Sequence, residues 1–296
     1  MDLLEELPTL GVGVMYNPAL FDFVCTDVDA FDYVEITSDM FWTDHGRGCD
    51  LRFEELEPWV DLLDRVAARR PIIAHNIGLS IGSAERHDPA YVEHLALWHK
   101  RYRYPWHSDH LSFAQVRGPD GRDRNAGIAI PPPCDQEMLE LLLDRVAEVQ
   151  GAIAAPFLLE NGVYYAVIPE QEMTEPEFLN ELTARSGCGL LLDLHNLYAN
   201  ARNHQFEAVQ YLDQLDLSRV VEVHIAGGNE FAGMYTDAHA GPCPKPVWDL
   251  LAYVVPRAAN LRGVTFEFHD SYFHTLGLSG VRDQLNRARD IWMRHA

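Results

Sequence analysis

Eight short apolar runs, rich in β-branched residues, alternate with longer amphipathic stretches along this chain, and this alternation strongly restricts how it can fold. The runs are Leu10–Tyr16, Tyr33–Thr37, Ile72–His75, Trp106–His110, Phe157–Glu160, Leu190–Leu194, Val220–Ile225 and Val264–Phe268. Strands that alternate with helices pair in parallel, because each helix carries the chain back to the start of the sheet. Eight such units predict an α/β fold, a closed (β/α)8 barrel of the TIM type; the alternative is an open, doubly wound sheet.

The stretches between the runs carry helical periodicity and helix-start signals. Helices are predicted over Glu54–Arg70, Ala90–Arg103, Glu137–Gln150, Thr174–Arg185, Phe206–Leu215, Pro246–Arg257 and Val281–Met293. Thr174 and Glu177 have the spacing of a capping box. The breakers Gly118–Gly121 and Pro131–Pro133 predict one long loop. No repeat or long linker divides the chain, so residues 1–296 are predicted to form a single TIM-barrel domain.

The charge balance is strongly acidic. The chain of 296 residues has 23 Lys plus Arg against 45 Asp plus Glu, a formal net charge of −22. This argues against a non-specific nucleic-acid binder and against a protein that binds anionic membranes. The acidic start of the chain lacks a secretory signal, and no apolar run is long enough to span a bilayer. Five cysteines without a C-x-x-C pair predict a protein of the reducing cytoplasm, with no disulfide framework.

Carboxylates and imidazoles cluster where the predicted strands end, which is where the active site of such a barrel lies. Seven of the eight strands end in this way. The residues are Glu35, His75, Asp109, His110, Glu160, Asp193, His195, His224, Glu267, His269 and Asp270, with Asp237 and His239 in the loop after the seventh strand. No Lys or Arg stands among them, and buried charges of one sign are costly without a counter-charge. The pattern therefore predicts bound metal ions, and more than one.

Imidazole and carboxylate ligands without thiolates suit Fe, Mn or catalytic Zn. Glu160 is a candidate bridge between two ions. Such a site can activate water for hydrolysis or activate oxygen, and the spacing does not separate these two chemistries. Ser80, within Gly78–Gly82, is expected to stabilise a turn rather than to act as a nucleophile. Histidines on predicted helices or helix edges are expected to be solvated; they are His87, His94, His99, His204 and His295.

Over nearly its whole length the chain resembles the DUF692 family of multinuclear non-haem iron enzymes, of the MbnB and TglH type. The matching stretches are His75–Gly82, Ser108–Phe113, Leu158–Asn161, Met173–Leu179, Leu191–Tyr198, His224–Gly227 and Asp237–His239. They occur in the family's order, so together they are far more specific than any one motif.

The resemblance implies a TIM-type barrel that holds two or three irons. The core ligands it implies are His75, His110, Glu160, Asp193, His224 and Glu267. Near a third metal it places His195, Asp237 and His239. Glu160 and Asp109 are the candidates for catalytic roles, Asp109 from behind the ligands. Members oxidise cysteine residues of ribosomally made precursor peptides with O2 as co-substrate and a mixed-valent Fe(II)/Fe(III) pair. Many work with a small partner protein that presents the peptide.

The sequence departs from the family pattern at three positions. His195 stands where the family commonly has Asn, Gly228 where it has His, and Met40 where it has Asn. Two other functions therefore remain open. One is a metal-dependent hydrolase or isomerase of the xylose-isomerase or endonuclease IV barrel type, although −22 disfavours a DNA-cleaving member and Lys100 and Lys245 are the only lysines. The other is a non-catalytic metal-binding scaffold.

Overall fold

Eight parallel strands close into a barrel in the computed structural model, which describes residues 3–84, 88–120 and 123–294. Numbered in chain order, they are β1 (Gly11–Met15), β2 (Tyr33–Ile36), β3 (Ile72–Asn76), β4 (His107–His110), β5 (Phe157–Glu160), β6 (Gly189–Asp193), β7 (Val220–Ile225) and β8 (Gly263–Phe266). Each strand pairs with its neighbour in sequence, and β1 pairs with β8. The predicted barrel is confirmed, and the open sheet is wrong.

Helices surround the barrel. They are α1 (Phe21–Thr26), α2 (Glu57–Ala67), α3 (Pro89–Tyr102), α4 (Gln136–Ala152), α5 (Glu175–Ser186), α6 (Leu194–His204), α7 (Ala208–Gln214), α8 (Lys245–Val254) and α9 (Phe273–Met293). The capping box is confirmed, because the Thr174 hydroxyl accepts from the Glu177 backbone N–H and the Glu177 carboxylate accepts from that of Thr174. Helices α1 and α6 were not predicted from the sequence. Of the described helices, none is both long and apolar enough to cross a bilayer.

Two-stranded ribbons follow three of the barrel strands. They pair Trp42–Asp44 with Phe53–Glu55, Phe113–Arg117 with Asp123–Ile130, and Asn229–Phe231 with Met234–Thr236. The second ribbon corrects the expectation of one long loop there. Pro119 and Asp120 lie in its turn, and its strands lack the apolar alternation by which a half-buried strand is recognised.

The barrel interior is apolar at its amino-terminal end and polar at its mouth. Six side chains fill the lower layer: Tyr33, Ile73, Trp106, Leu158, Leu191 and Val221. Gly13 leaves room for the Tyr33 ring, which a Cβ at position 13 would approach to 2.5 Å. Because side chains alternate along a strand, the next interior position on each strand lies two residues further on. Those positions include Glu35, His75, Glu160 and Asp193.

A β-bulge in β7 departs from this alternation. Leu190 of β6 pairs with Val220 and Leu191 pairs with Glu222, so one residue of β7 is skipped in the register. As a result, both Val221 and Glu222 face the interior: Val221 packs in the lower layer, and Glu222 bonds to interior side chains. His224 then faces the mouth.

Candidate metal centre

The strand register brings the predicted ligands to one level at the mouth. His110 of β4 pairs with Glu160 of β5, and Asp193 of β6 pairs with His224 of β7. The strands are buried on both faces, which restricts the conformations available to these side chains. Since neighbouring strands lie about 4.8 Å apart, paired residues on one face can meet around a common centre.

The first ligand group is made by His75, His110 and Glu160. The two Nε2 atoms lie 3.4 Å apart, and they lie 3.2 Å and 3.3 Å from Glu160 Oε2. Ser108 holds the His75 ring through its hydroxyl, 2.9 Å from Nδ1. His75 Nε2 is therefore left facing the group.

The second ligand group lies across the mouth and shares Glu160 with the first. Glu160, Asp193 and His224 each offer one ligand atom, and these atoms lie within 4.8 Å of one another. Asp193, His239 and Glu267 form an overlapping set. Glu267 Oε2 lies 3.3 Å from both His224 Nδ1 and His239 Nε2. Glu160 is thus placed to bridge two ions.

A third group lies further out on the loop after β7. Asp237 Oδ1 lies 3.2 Å from His195 Nδ1 and 3.1 Å from His239 Nε2. His239 has a φ of 48°, a left-handed conformation that is uncommon for a residue other than glycine. Gly228 gives His195 its space, because a Cβ at position 228 would lie 2.5 Å from His195 Nε2.

Hydrogen bonds behind the ligands fix their orientation. Glu35 Oε2 lies 2.8 Å from His224 Nε2 and leaves Nδ1 for the mouth. Asp193 is the N-cap of α6, since its Oδ1 accepts from the backbone N–H of Asn196 at 2.7 Å. The Asn196 side chain donates to Glu160 Oε1 at 3.3 Å. A carboxylate behind a ligating imidazole fixes its tautomer and raises its basicity.

The carboxylates of the mouth repel one another. Burial, together with Glu160 and Asp237, raises the pKa of Asp193 to about 8. Burial lowers the pKa of His75 to about 4, with His224 adding to the effect. Burial also opposes protonation of His239, but Asp237 and Glu267 outweigh it and raise the His239 pKa to about 9. None of the described Lys or Arg residues forms an ion pair with these carboxylates.

Several ligand atoms of the mouth are buried without a hydrogen-bond partner. They are Glu160 Oε2, Asp193 Oδ2, His195 Nδ1, His195 Nε2, His224 Nδ1 and Asp237 Oδ1. Buried polar atoms are normally hydrogen-bonded, and six unpartnered atoms on neighbouring side chains are unusual. Cations bound at the mouth would supply the missing interactions of the atoms that face it, so the donor set fits two or more metal ions of the kind that accept mixed nitrogen and oxygen ligands.

Three other residues of the predicted site lie outside the groups. Asp109 is fully buried, and its Oδ2 accepts from the backbone N–H of Leu79 at 3.3 Å. Burial, and then Asp39, raise its pKa well above the usual range. His269 and Asp270 are exposed at the surface, so the strand-end pattern was wrong to include them.

The prediction of solvated helical histidines also needs correction. His94 stacks on Phe53 at 4.2 Å between ring centroids, and His204 stacks on Tyr164 at 4.5 Å. His99 is likewise only partly exposed. His87 and His295 lie outside the described residues. The Ser80 hydroxyl accepts from the backbone N–H groups of Ala114 and Gln115, so it ties the loop after β3 to the ribbon that follows β4.

Glu222 is the buried acidic residue that the sequence reasoning missed. It lies below the mouth, 3.9 Å from His224 Nε2. Its position two residues before His224 on the same strand was the available signal, because such residues share a face.

A family model of the RiPP precursor modification enzymes MbnB/TglH/ChrH matches residues 11–291. Relatives of similar length carry the name UPF0276 protein. One from Rhizorhabdus wittichii is 32% identical over 286 residues, 96% of this chain and 95% of that protein. Another from Caulobacter vibrioides is 31% identical over 247 residues, 83% of this chain and 82% of that protein.

Solved structures share the fold at low sequence identity. Endonuclease IV from Thermus thermophilus has a TM-score of 0.56 and 16% identity, covering 98% of this chain and 100% of its own. D-psicose 3-epimerase from Clostridium cellulolyticum has a TM-score of 0.60 and 10% identity, covering 96% and 98%. These two likenesses concern the barrel alone. The match over residues 11–291 reaches every strand and ligand group described above, and the chain belongs to the MbnB/TglH/ChrH family of RiPP precursor modification enzymes.

Proposed function

We propose that this protein is a multinuclear iron-dependent, O2-using oxidase that modifies cysteine residues of a ribosomally synthesised precursor peptide. The observation that carries the proposal is the pair of ligand groups that share Glu160, with unpartnered ligand atoms facing one space. Family membership supports a precursor peptide as the substrate. A small partner protein that presents the peptide, and a reducing cytoplasmic setting, belong to the same proposal.

His75, His110 and Glu160 would hold one iron, and Glu160 with Asp193, His224 and Glu267 would hold another. His195, Asp237 and His239 would serve a third, outer ion. Iron, when bound there, supplies a site for a cysteine thiolate and for O2. The protein's own part is to hold the imidazole rings in the correct orientation, through Ser108 behind His75 and Glu35 behind His224.

Asp109 is proposed to hold the loop beside the metal centre in place rather than to bind a metal ion. Its carboxylate accepts from Leu79 and lies behind the loop that follows β3. That loop also bonds to Asp39, whose Oδ2 accepts from the backbone N–H of Ile77 at 3.1 Å. The two acids therefore hold one wall of the mouth. We propose that residues 1–296 carry this activity as one domain.

The test uses the iron-loaded, reduced enzyme with O2 and a synthetic copy of a cysteine-containing peptide encoded beside its gene, and follows the peptide's mass. We expect a mass change that needs both oxygen and the cysteine. A change that survives replacement of every peptide Cys by Ser, or that persists without oxygen, would overturn the proposal. Activity with zinc alone would instead favour a hydrolase or isomerase.

A further inference from the structure

A cavity of about 330 Å³ lies beside the metal centre, outside the barrel. Its walls are mostly apolar and include Leu111, Pro131, Pro132, Val167, Ile168 and Phe178. Two of its wall residues continue directly from the ligands: Leu111 follows His110, and Gly162 is two residues beyond Glu160. The cavity and the first ligand group are therefore built on the same two chain segments.

One carboxylate, that of Glu175 at the first position of α5, lines this cavity. No described Lys or Arg pairs with it, and burial raises its pKa to about 7. The Tyr211 hydroxyl is buried beside this carboxylate and is a neutral group that interacts with it. A buried carboxylate without a counter-charge is costly, so an arriving cation would gain the interaction that the protein does not supply.

Another polar residue of the cavity wall, His204, is bonded to the backbone. His204 lines the wall, and its Nε2 lies 2.9 Å from the Tyr164 carbonyl oxygen, so that nitrogen donates to the backbone. The Tyr164 backbone N–H in turn donates to Asn200 at 2.9 Å. These hydrogen bonds hold His204 and Tyr164 in place along the cavity wall. Glu175 is left as the acidic group available to a ligand.

We infer that this cavity is a subsite for a basic side chain, lysine or arginine, of the peptide substrate. The alkyl stem would lie along the apolar wall, and its cationic head would meet Glu175 and the Tyr211 hydroxyl. An uncharged apolar side chain would fill the same walls but would leave the carboxylate unpaired. The inference rests on the proposed function for its peptide, yet the binding it describes requires no turnover.

The loop over the cavity connects it to the outer metal group. The Tyr165 hydroxyl accepts from the backbone N–H of Asp237 at 3.1 Å. Val167, in the same loop, is 73% exposed although it is apolar. A peptide that enters between this loop and the mouth would cover Val167 and place one residue in the cavity and a neighbour at the metals.

The test measures binding of fluorescein-labelled pentapeptides Gly-Ser-X-Ser-Gly to the full-length, as-purified protein by anisotropy at physiological salt, with X as lysine, arginine or norleucine. We expect the lysine and arginine peptides to bind about tenfold more tightly than the norleucine peptide. Glu175→Gln should abolish that preference. The matched control is Glu170→Gln, which removes the same charge from an exposed position five residues away and should keep the preference.

Two outcomes would overturn the inference: equal binding of the lysine and norleucine peptides by the unmodified protein, or a preference that survives in Glu175→Gln. Competition of the lysine peptide by n-butylamine but not by n-butanol gives a second readout that needs no variant. Since these measurements involve neither iron nor O2, their failure leaves the proposed oxidase untouched. A failed peptide oxidation would likewise leave the subsite untouched.

Discussion

Two glutamates buried inside the barrel, Glu222 and Glu160, differ in what surrounds their oxygens. Glu222 accepts hydrogen bonds from Trp106 Nε1 at 2.7 Å, the Thr265 hydroxyl at 2.8 Å and the Tyr33 hydroxyl at 3.2 Å. Glu160 Oε1 accepts one hydrogen bond, from the side-chain amide of Asn196. Its Oε2 faces two imidazoles and accepts no hydrogen bond. Both residues are at most 3% exposed.

The difference separates a structural carboxylate from one suited to a metal. A carboxylate with its lone pairs filled by neutral donors has no capacity left for a cation. A carboxylate that faces imidazole nitrogens has that capacity and carries a high energetic cost until a cation arrives. The two glutamates lie on neighbouring levels of one barrel, so burial alone does not distinguish them.

Glu160→Gln should have the largest effect of any substitution in this comparison. The amide keeps the shape but removes the charge that both ligand groups share, so most of the bound iron should be lost. Glu222→Gln should keep the iron, because three donors of the protein already bond to the Glu222 carboxylate. Elemental analysis after anaerobic iron loading checks both, and the unmodified protein should hold more than one iron per chain. Iron loss in Glu222→Gln equal to that in Glu160→Gln would contradict the distinction.

Glu35→Gln should weaken metal binding about 10- to 100-fold, because Glu35 fixes the tautomer of His224 from behind. Competition with a chelator of known affinity measures the change. Glu222→Gln is again the matched control, since its carboxylate lies 3.9 Å rather than 2.8 Å from the same His224 nitrogen. An equal loss of metal affinity in the two variants would contradict a specific orienting role for Glu35.

His239→Ala should have a smaller effect than Glu160→Gln. His239 lies on the loop after β7 and contacts Asp237 and Glu267, at the outer side of the centre. We expect the loss of at most the outer ion, with the inner groups retained. If iron analysis finds equal losses in the two variants, Glu160 is not the bridge.

Glu175 extends the comparison to a buried carboxylate outside the barrel. Of the substitutions compared, Glu175→Gln should change the metal centre least, and its effect should appear in the pH dependence of stability. The Glu175 pKa of about 7 in the folded protein exceeds the unfolded value of about 4.3, so folding favours the protonated form. This contribution to stability is complete below about pH 4.3 and is lost as the pH rises through about 7.

The free energy of unfolding should therefore fall between about pH 5 and pH 8 by about 1–3 kcal/mol more in the unmodified protein than in Glu175→Gln. Urea unfolding at the two pH values measures this difference. His204, on the wall of the same cavity, is present in both proteins. The other titratable groups beside Glu175 are Tyr211, Cys134 and Tyr164, whose pKa values burial raises above that range. Parallel pH profiles in the two proteins would exclude Glu175 as the titrating group.

Much of the candidate centre could be predicted because a barrel places strand ends at one mouth. His75, Glu160 and Asp193 were found from strand position alone, and the structure brings their ligand atoms together. His269 and Asp270 failed the same rule because the chain leaves the barrel after Glu267 and turns to the surface. The position of a residue along a predicted strand indicates its level in the barrel. It does not indicate the path of the chain after the strand ends.

The alternation of eight apolar runs with helices, the capping box at Thr174 and the acid-rich strand ends are properties of the sequence by itself. They follow from local periodicity and from the rule that parallel strands need crossovers. The tertiary structure decided which carboxylates accept hydrogen bonds from the protein and which keep an oxygen free for a metal ion. The bulge in β7 turns both Val221 and Glu222 inward. Glu222 meets its donors, which come from β2, from β8 and from Trp106 just before β4, only when the barrel closes. The space for His195 likewise depends on Gly228, 33 residues away in the chain. Such pairings depend on distances between strands, which a one-dimensional pattern does not contain.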